Sequence, residues 1–184
     1  MKLKFFVPVC FALIAATTMS IADDASAKGK IALQVLDWDQ TQKLVASHKG
    51  KIVVVDVWST ACEPCVKEFP NLVKLHKKHG AKDVACVSLS CDYVGIKSKP
   101  PEFYRERVMK FLTEQGAAFD NVLCSLPSDE LFQKMDLASN PAVYVFGRDG
   151  KLVKRFDNDS IKNDSEAFTY EHVTKLVEEL VAKK

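Results

Sequence analysis

The sequence has no internal repeat, no low-complexity tract and no stretch with the composition of a linker. Repeat architectures and a two-domain layout are set aside on that ground, and 184 residues suffice for one domain with a full hydrophobic core. It also lacks an apolar run long enough for a membrane-spanning helix, since the longest, Phe5 to about Ala16, is too short. That run follows Lys2 and Lys4 and precedes the small-residue sites Ser20-Ile21-Ala22 and Ala25-Ser26-Ala27. This is the layout of a secretory signal peptide. Residues 1–22 are expected to be the signal, with cleavage after Ala22 or alternatively after Ala27, and residues 31–184 the domain. A signal that stayed uncleaved would leave a membrane anchor.

An excess of charge of either sign is missing too. The formal net charge is +2, and removal of Lys2 and Lys4 with the signal leaves 24 basic residues against 24 acids. A neutral chain without a basic stripe offers no electrostatic footprint for nucleic acid. Cysteine is present, and export changes its meaning, because disulfides persist outside the cytosol. Cys62, Cys65, Cys86, Cys91 and Cys124 follow the signal. Their odd number leaves at least one thiol free or paired between molecules.

The stretch Lys51 to Pro70, KIVVVDVWSTACEPCVKEFP, organises the chain. Its β-branched run Ile52–Val57, interrupted only by Asp56, has the composition of a strand buried on both faces. Trp58, Ser59 and Thr60 lead to Cys62-Glu63-Pro64-Cys65 and then to an amphipathic helical pattern. Strand, turn, Cys-x-x-Cys and helix place a thiol at a helix N-terminus, where unpaired N–H groups and the macrodipole favour the thiolate. Pro64 fits early in that helix, where its missing N–H costs little. Thiolate is the species that attacks disulfides. Zinc would need two further ligands, and no histidine has a ligand-like spacing. A c-type haem site would need histidine after the second cysteine, where Val66 stands.

The segment VDVWSTACEPCVKEFP resembles the active site of thioredoxin-fold oxidoreductases, most closely the extracytoplasmic TlpA/ResA type. Glu68 and Pro70 stand where those proteins have an acid and a proline, and Asp56 matches the buried acid of cytoplasmic thioredoxins. Ala61 departs from the tryptophan that many members carry, so a more open wall beside the thiol is expected. The resemblance extends from about Asp37 to the C-terminal helix. It implies an α/β, thioredoxin-like fold, a central mixed β-sheet with helices on both faces.

Along the chain, Ile31–Leu36 reads as a strand and Asp37 or Asp39 as the cap of a helix to about His48. The active-site helix should end at Gly80, with Pro70 inside it. Val84–Leu89 is a buried strand, and the Lys-Ser-Lys-Pro-Pro portion after it reads as irregular. Phe103, Arg107, Val108, Phe111 and Leu112 give a helical stripe that ends at Gly116; the resemblance implies an added helix and strand in this region, with Asn121–Cys124 as the strand. Ser128 reads as the cap of a short helix to about Met135. Ala142–Phe146 and Lys151–Phe156 flank Arg148-Asp149-Gly150 as a hairpin, and a last helix is expected from about Glu166.

Cys62, nearest the helix end, is the expected nucleophile and Cys65, one turn in, the resolving thiol of a redox-active Cys62–Cys65 disulfide. Asp56 reads as the proton acceptor for Cys65, its pKa raised by desolvation; the alternative is a carboxylate facing out at a strand edge. Glu68 reads equally as a second proton-handling acid or as a solvated helix residue. The resemblance implies a cis bond at Asn140-Pro141, packed against the cysteines, with substrate contacts at Asn140, Pro141, Trp58, Glu63 and Pro64. Cys86 reads as an inert buried thiol, and Cys91 and Cys124 as a possible pair.

The expected activity is dithiol–disulfide exchange on exported proteins by a periplasmic or secreted monomer, with no cofactor, no metal and no nucleic acid. Clients of cytochrome c maturation and a membrane electron donor are the partners that the resemblance implies. Glu63 places a negative charge beside the Cys62 thiolate, and no cationic residue lies between the cysteines, so a reducing direction is expected. The alternatives are a metal- or haem-delivery module on the same fold, or a thiol peroxidase. The latter wants threonine three residues before its cysteine, where Ser59 stands.

Overall fold

The middle of the molecule is β2 (Ile52–Trp58), a strand in which all seven residues are buried. The computed structural model describes residues 31–80, 82–163 and 166–183, so the signal peptide reading lies outside the described residues. Around β2 a six-stranded sheet is ordered β1-β4-β3-β2-β5-β6. Its strands are β1 (Gln34–Leu36), β3 (Val84–Ser90), β4 (Asp120–Cys124), β5 (Ala142–Phe146) and β6 (Leu152–Phe156). The pairs β1–β4, β4–β3 and β3–β2 are parallel, while β2–β5 and β5–β6 are antiparallel. A mixed sheet results, with β2 hydrogen-bonded on both sides.

Alternation along β2 divides the core in two, as the strand period of two dictates. Ile52, Val54 and Trp58 join a cluster with Phe69, Leu72, Val108, Leu112, Val173 and Val177. These come from α2 (Glu63–His79), α3 (Pro101–Gln115) and α5 (Tyr170–Ala182). Val53, Val55 and Val57 join the opposite cluster with Trp38 and Val45 of α1 (Trp38–Ser47) and Leu131 and Met135 of α4 (Ser128–Met135). Helices therefore cover both faces, and the chain has the α/β, thioredoxin-like fold. Asp56 is in register with the residues facing α2, α3 and α5.

The helix ends have separate physical causes. Asp37 caps α1 in a reciprocal box with Gln40. Gly116 ends α3 in the left-handed conformation, φ +67°, where a side chain is disfavoured. Gly80, at the C-terminal end of α2, stays in the right-handed region and is glycine for want of room, because a Cβ there would lie 2.5 Å from the His76 carbonyl oxygen. α2 runs through Pro70, which denies the Val66 carbonyl its intrahelical partner.

Four boundaries differ from the sequence reading. β1 covers only Gln34–Leu36, because only there does β4 offer partners. Pro101 is helical, its missing N–H tolerated in the first turn of α3. Pro127 rather than Ser128 holds the cap position of α4 and makes no side-chain cap bond. The last helix starts at Tyr170, capped by a box between Thr169 and His172, not at Glu166.

Asn121 ties the parallel edge together. Buried in β4, it accepts from Ser88 Oγ at 2.8 Å and donates toward the carbonyls of Phe119, Ala117 and Ala32 at 2.8, 3.0 and 3.1 Å. Asn121→Ala orphans these buried groups and is expected to cost about 2–4 kcal/mol in urea unfolding. A loss under about 0.5 kcal/mol, the size of an ordinary surface change, would show that water replaces the amide.

Candidate active site

β2 delivers the chain to the C-terminal end of the sheet, and α2 starts there with Cys62 as its N-cap residue. Cys62 Sγ accepts from the Cys65 N–H at 3.2 Å, so the sulfur occupies the place of a capping oxygen. The two cysteines form a disulfide with Cα atoms 5.2 Å apart. Cys62 is half-buried and Cys65 is 3% exposed. On reduction the more accessible sulfur would be the one held at the helix N-terminus, where N–H groups and the dipole stabilise negative charge.

The turn before Cys62 is pinned by a group missed in the sequence. Asp92 lies just past β3, its carboxylate fully buried. It accepts from the Thr60 N–H at 3.1 Å and from the Thr60 hydroxyl. It also accepts from Ser90 Oγ at 2.7 Å and Arg107 Nη2 at 2.6 Å. Arg107 belongs to α3, so that helix is tied through one carboxylate to the residue two before Cys62. In the sequence Asp92 merely opens a connection, and no local pattern marks its role as acceptor for four donor groups.

On the other side of the disulfide is a cleft of about 470 Å³. Cys65, Pro64, Pro141, Val143, Ile161 and Phe168 supply its apolar wall, with Asp56, Lys67, Glu68 and Tyr170 among its polar lining. Asp56 is 4% exposed and faces this interior space, not a strand edge. Burial pushes its carboxyl up to about 7, the Tyr170 hydroxyl opposes that by donating to Oδ2 at 2.5 Å, and the nearby Glu68 charge adds to the rise. Glu68 is half-buried and accepts from Asn71 Nδ2 at 3.0 Å and from the Tyr170 N–H at 3.4 Å. It stands at the rim of the cleft, joined to both α2 and the start of α5.

The remaining candidates divide. The Asn140–Pro141 bond is cis, and Pro141 lines the cleft with Cys65. Glu63 and Pro64 are exposed beside Cys62, and so is Ala61. Asn140 directs its amide inward, to Cys91 Sγ at 3.3 Å. Trp58 is 0% exposed and packs between Phe69 and Phe111, with ring centroids 4.8 and 4.7 Å away. It cannot touch a substrate, and its expected place in the binding surface is corrected: alternation along β2 turns it into the helical core.

Cys86, Cys91 and Cys124 are all free and buried. Burial raises each thiol, which keeps it protonated and unreactive. The Cys91–Cys124 pair is therefore not formed. Cys91 instead donates to the Trp58 carbonyl at 3.1 Å and accepts from Asn140. Tyr170 was also missed, because three residues before Val173 it reads as one more apolar position of the last helix.

A thioredoxin fold with a Cys-x-x-Cys disulfide at a helix N-terminus, a cis-proline beside it and a buried acid behind it defines a thiol–disulfide oxidoreductase. The chain belongs to the Redoxin family, whose model matches residues 23–170. It is 27% identical over 134 residues to the thiol-disulfide oxidoreductase ResA of Bacillus thuringiensis subsp. konkukian, covering 73% of this chain and 70% of that one. Two solved structures share the fold. The thioredoxin domain of a thiol-disulfide oxidoreductase from Bacteroides vulgatus has a TM-score of 0.50 at 24% identity, covering 72% of this chain and 83% of that one. A thiol:disulfide interchange protein from Chlorobium tepidum has 0.53 at 19%, covering 74% and 83%.

The raised Asp56 pKa has a consequence for stability. An unfolded aspartate releases its proton near 3.8, whereas the folded protein holds it to about 7. Stability therefore falls as pH rises through that window, and the penalty is complete above it. Asp56→Asn removes the penalty while still accepting from Tyr170. The oxidised variant should be more stable than the parent by up to about 4 kcal/mol near pH 8, with the gain disappearing toward pH 4. Urea unfolding at the two pH values checks this, and an equal effect at both would show that Asp56 is already ionised in the fold.

Proposed function

We propose that this protein reduces disulfides in exported proteins, working outside the cytoplasm, with Cys62 as nucleophile and Cys65 as resolving thiol. The observation that carries the reading is the asymmetry of the pair: Cys62 is half-buried at the N-cap of α2, and Cys65 is buried against the cleft that holds Asp56. In the reduced enzyme the Cys62 thiolate attacks a substrate disulfide. A Cys62–substrate bond forms and one substrate sulfur leaves as thiolate. Asp56 then takes the proton of Cys65, whose sulfur attacks Cys62. The Cys62–Cys65 bond forms, the mixed disulfide breaks, and the second substrate sulfur departs. Two electrons have passed from the dithiol to the substrate.

Glu63 and Pro64, exposed beside Cys62, and the backbone at Asn140–Pro141 supply the surface for an extended peptide around the target cysteine. Export rests on the signal-like residues 1–22. The reducing direction rests on Glu63, whose charge disfavours the Cys62 thiolate and so lowers the potential. Cytochrome c precursors, whose cysteines must be reduced for haem attachment, are a fitting client class, and a membrane dithiol donor would recharge the pair.

Cys65→Ala should accumulate mixed disulfides on Cys62, since attack proceeds and resolution cannot. Mass mapping of trapped complexes reads this directly, and adducts on Cys65 in a Cys62→Ala variant instead would reverse the roles. Equilibration with glutathione gives the potential: a value below about −220 mV supports a reductant, and one near about −120 mV contradicts it.

A further inference from the structure

Tyr170 is the first residue of α5 and is buried to 3% exposure, yet it makes polar contacts from both its ends. Its hydroxyl donates to Asp56 Oδ2 at 2.5 Å, and its backbone N–H points to Glu68 Oε2 at 3.4 Å. One residue thus bridges the two acids of the cleft. The hydroxyl supplies the one side-chain hydrogen bond to Asp56 found among the described residues. We propose that Tyr170 is a positioning residue for the resolving step: it holds Asp56 oriented in the cleft that Cys65 lines and keeps it available as a base near neutral pH. This rests on the reading of Asp56 as the base for Cys65.

The physical argument begins from desolvation. A buried carboxylate with no donor would stay protonated well past neutrality and could not accept a proton from a thiol. A hydroxyl aimed at Oδ2 favours the charged form and fixes the carboxylate rotamer together. The donor is stable in that role, because burial and the Asp56 charge push the phenol well above its usual range. Other groups facing Asp56 do not replace it. From α2, the Glu68 charge acts in the opposite sense, Cys65 is the reaction partner, and Lys67 stands across the cleft, exposed. From β3, Cys86 remains a protonated thiol. From β5, the register partner is Val143, which has no charge.

The test follows both steps of the reaction. Reduced protein mixed with an aromatic disulfide releases one aromatic thiolate as Cys62 attacks the disulfide and a second as Cys65 attacks the resulting mixed disulfide. Tyr170→Phe should move the pH midpoint of the second phase upward by about one unit, slowing it several-fold near pH 6.5 and leaving it unchanged near pH 9. The first phase should stay as in the parent. Asp56→Asn should abolish the midpoint near neutrality, leaving only the rise at higher pH where Cys65 ionises unaided, and adding Tyr170→Phe to it should change nothing further. Uniform slowing at every pH, or an unmoved midpoint, with Asp56→Asn behaving as stated, would overturn the role of Tyr170 alone. A near-neutral midpoint left in place by Asp56→Asn would overturn the reading of Asp56 itself, and the inference with it. If Tyr170→Phe does not fold, 3-fluorotyrosine at this position keeps the shape and donates more strongly. The midpoint should then fall, and a midpoint that does not fall refutes the inference.

Discussion

Placing a carboxylate in the central strand of a sheet costs several kcal/mol unless something in the fold accepts it. Asp56 does this in β2, where every neighbour along the strand is buried. Much of the site can be traced to that constraint. The cleft beside Cys65 gives the carboxyl group a polar opening, and α5 begins at the point where Tyr170 can reach it. The acid stays in a titratable range because these contacts offset part of the desolvation. A strand composed only of valine and isoleucine would be more stable and would leave no carboxyl group in the cleft that Cys65 lines.

The disulfide itself is served by a different set of forces. Its first sulfur takes the capping position of α2, and the preceding turn is held by Asp92 through the backbone and hydroxyl of Thr60. Arg107 neutralises Asp92 from α3, so a helix distant in sequence contributes to the geometry of the turn before Cys62. Two buried carboxylates therefore flank the cysteine pair with opposite assignments. Asp92 is held by four donor groups and acts as a structural anchor. Asp56 has one donor and a neighbouring acid, and burial with so few partners holds its carboxyl up to about 7.

Much of this was readable in one dimension because it depends on local spacing. The β-branched run, the Cys-x-x-Cys and the helical stripe after it lie within Lys51–Pro70, so neighbours in sequence are neighbours in space. The hairpin at Arg148-Asp149-Gly150 and the stop at Gly116 follow from turn chemistry of a few residues. Trp58 was misplaced because an aromatic residue beside an active site looks the same whether it faces the core or a substrate. Only its parity along β2, in a sheet covered on both faces, sends it inward. The start of the last helix at Tyr170 is not legible in the sequence, because the residues before Thr169 carry no pattern that forbids helix.

By itself the sequence determined the chemistry: a thiol pair at a strand-to-helix junction, an acid six residues before it and a proline ahead of the closing hairpin. Those features need only covalent spacing and backbone propensity. The tertiary structure alone decided which groups meet that chemistry from afar. Tyr170 reaches Asp56 across 114 residues, and Arg107 reaches Asp92 from a separate helix. It also decided that Cys91 and Cys124, at the ends of neighbouring parallel strands, stay free thiols. Hydrogen bonds and desolvation act over a few ångströms of space, and no spacing along the chain records which distant residues the packing of α3 and α5 brings within that range.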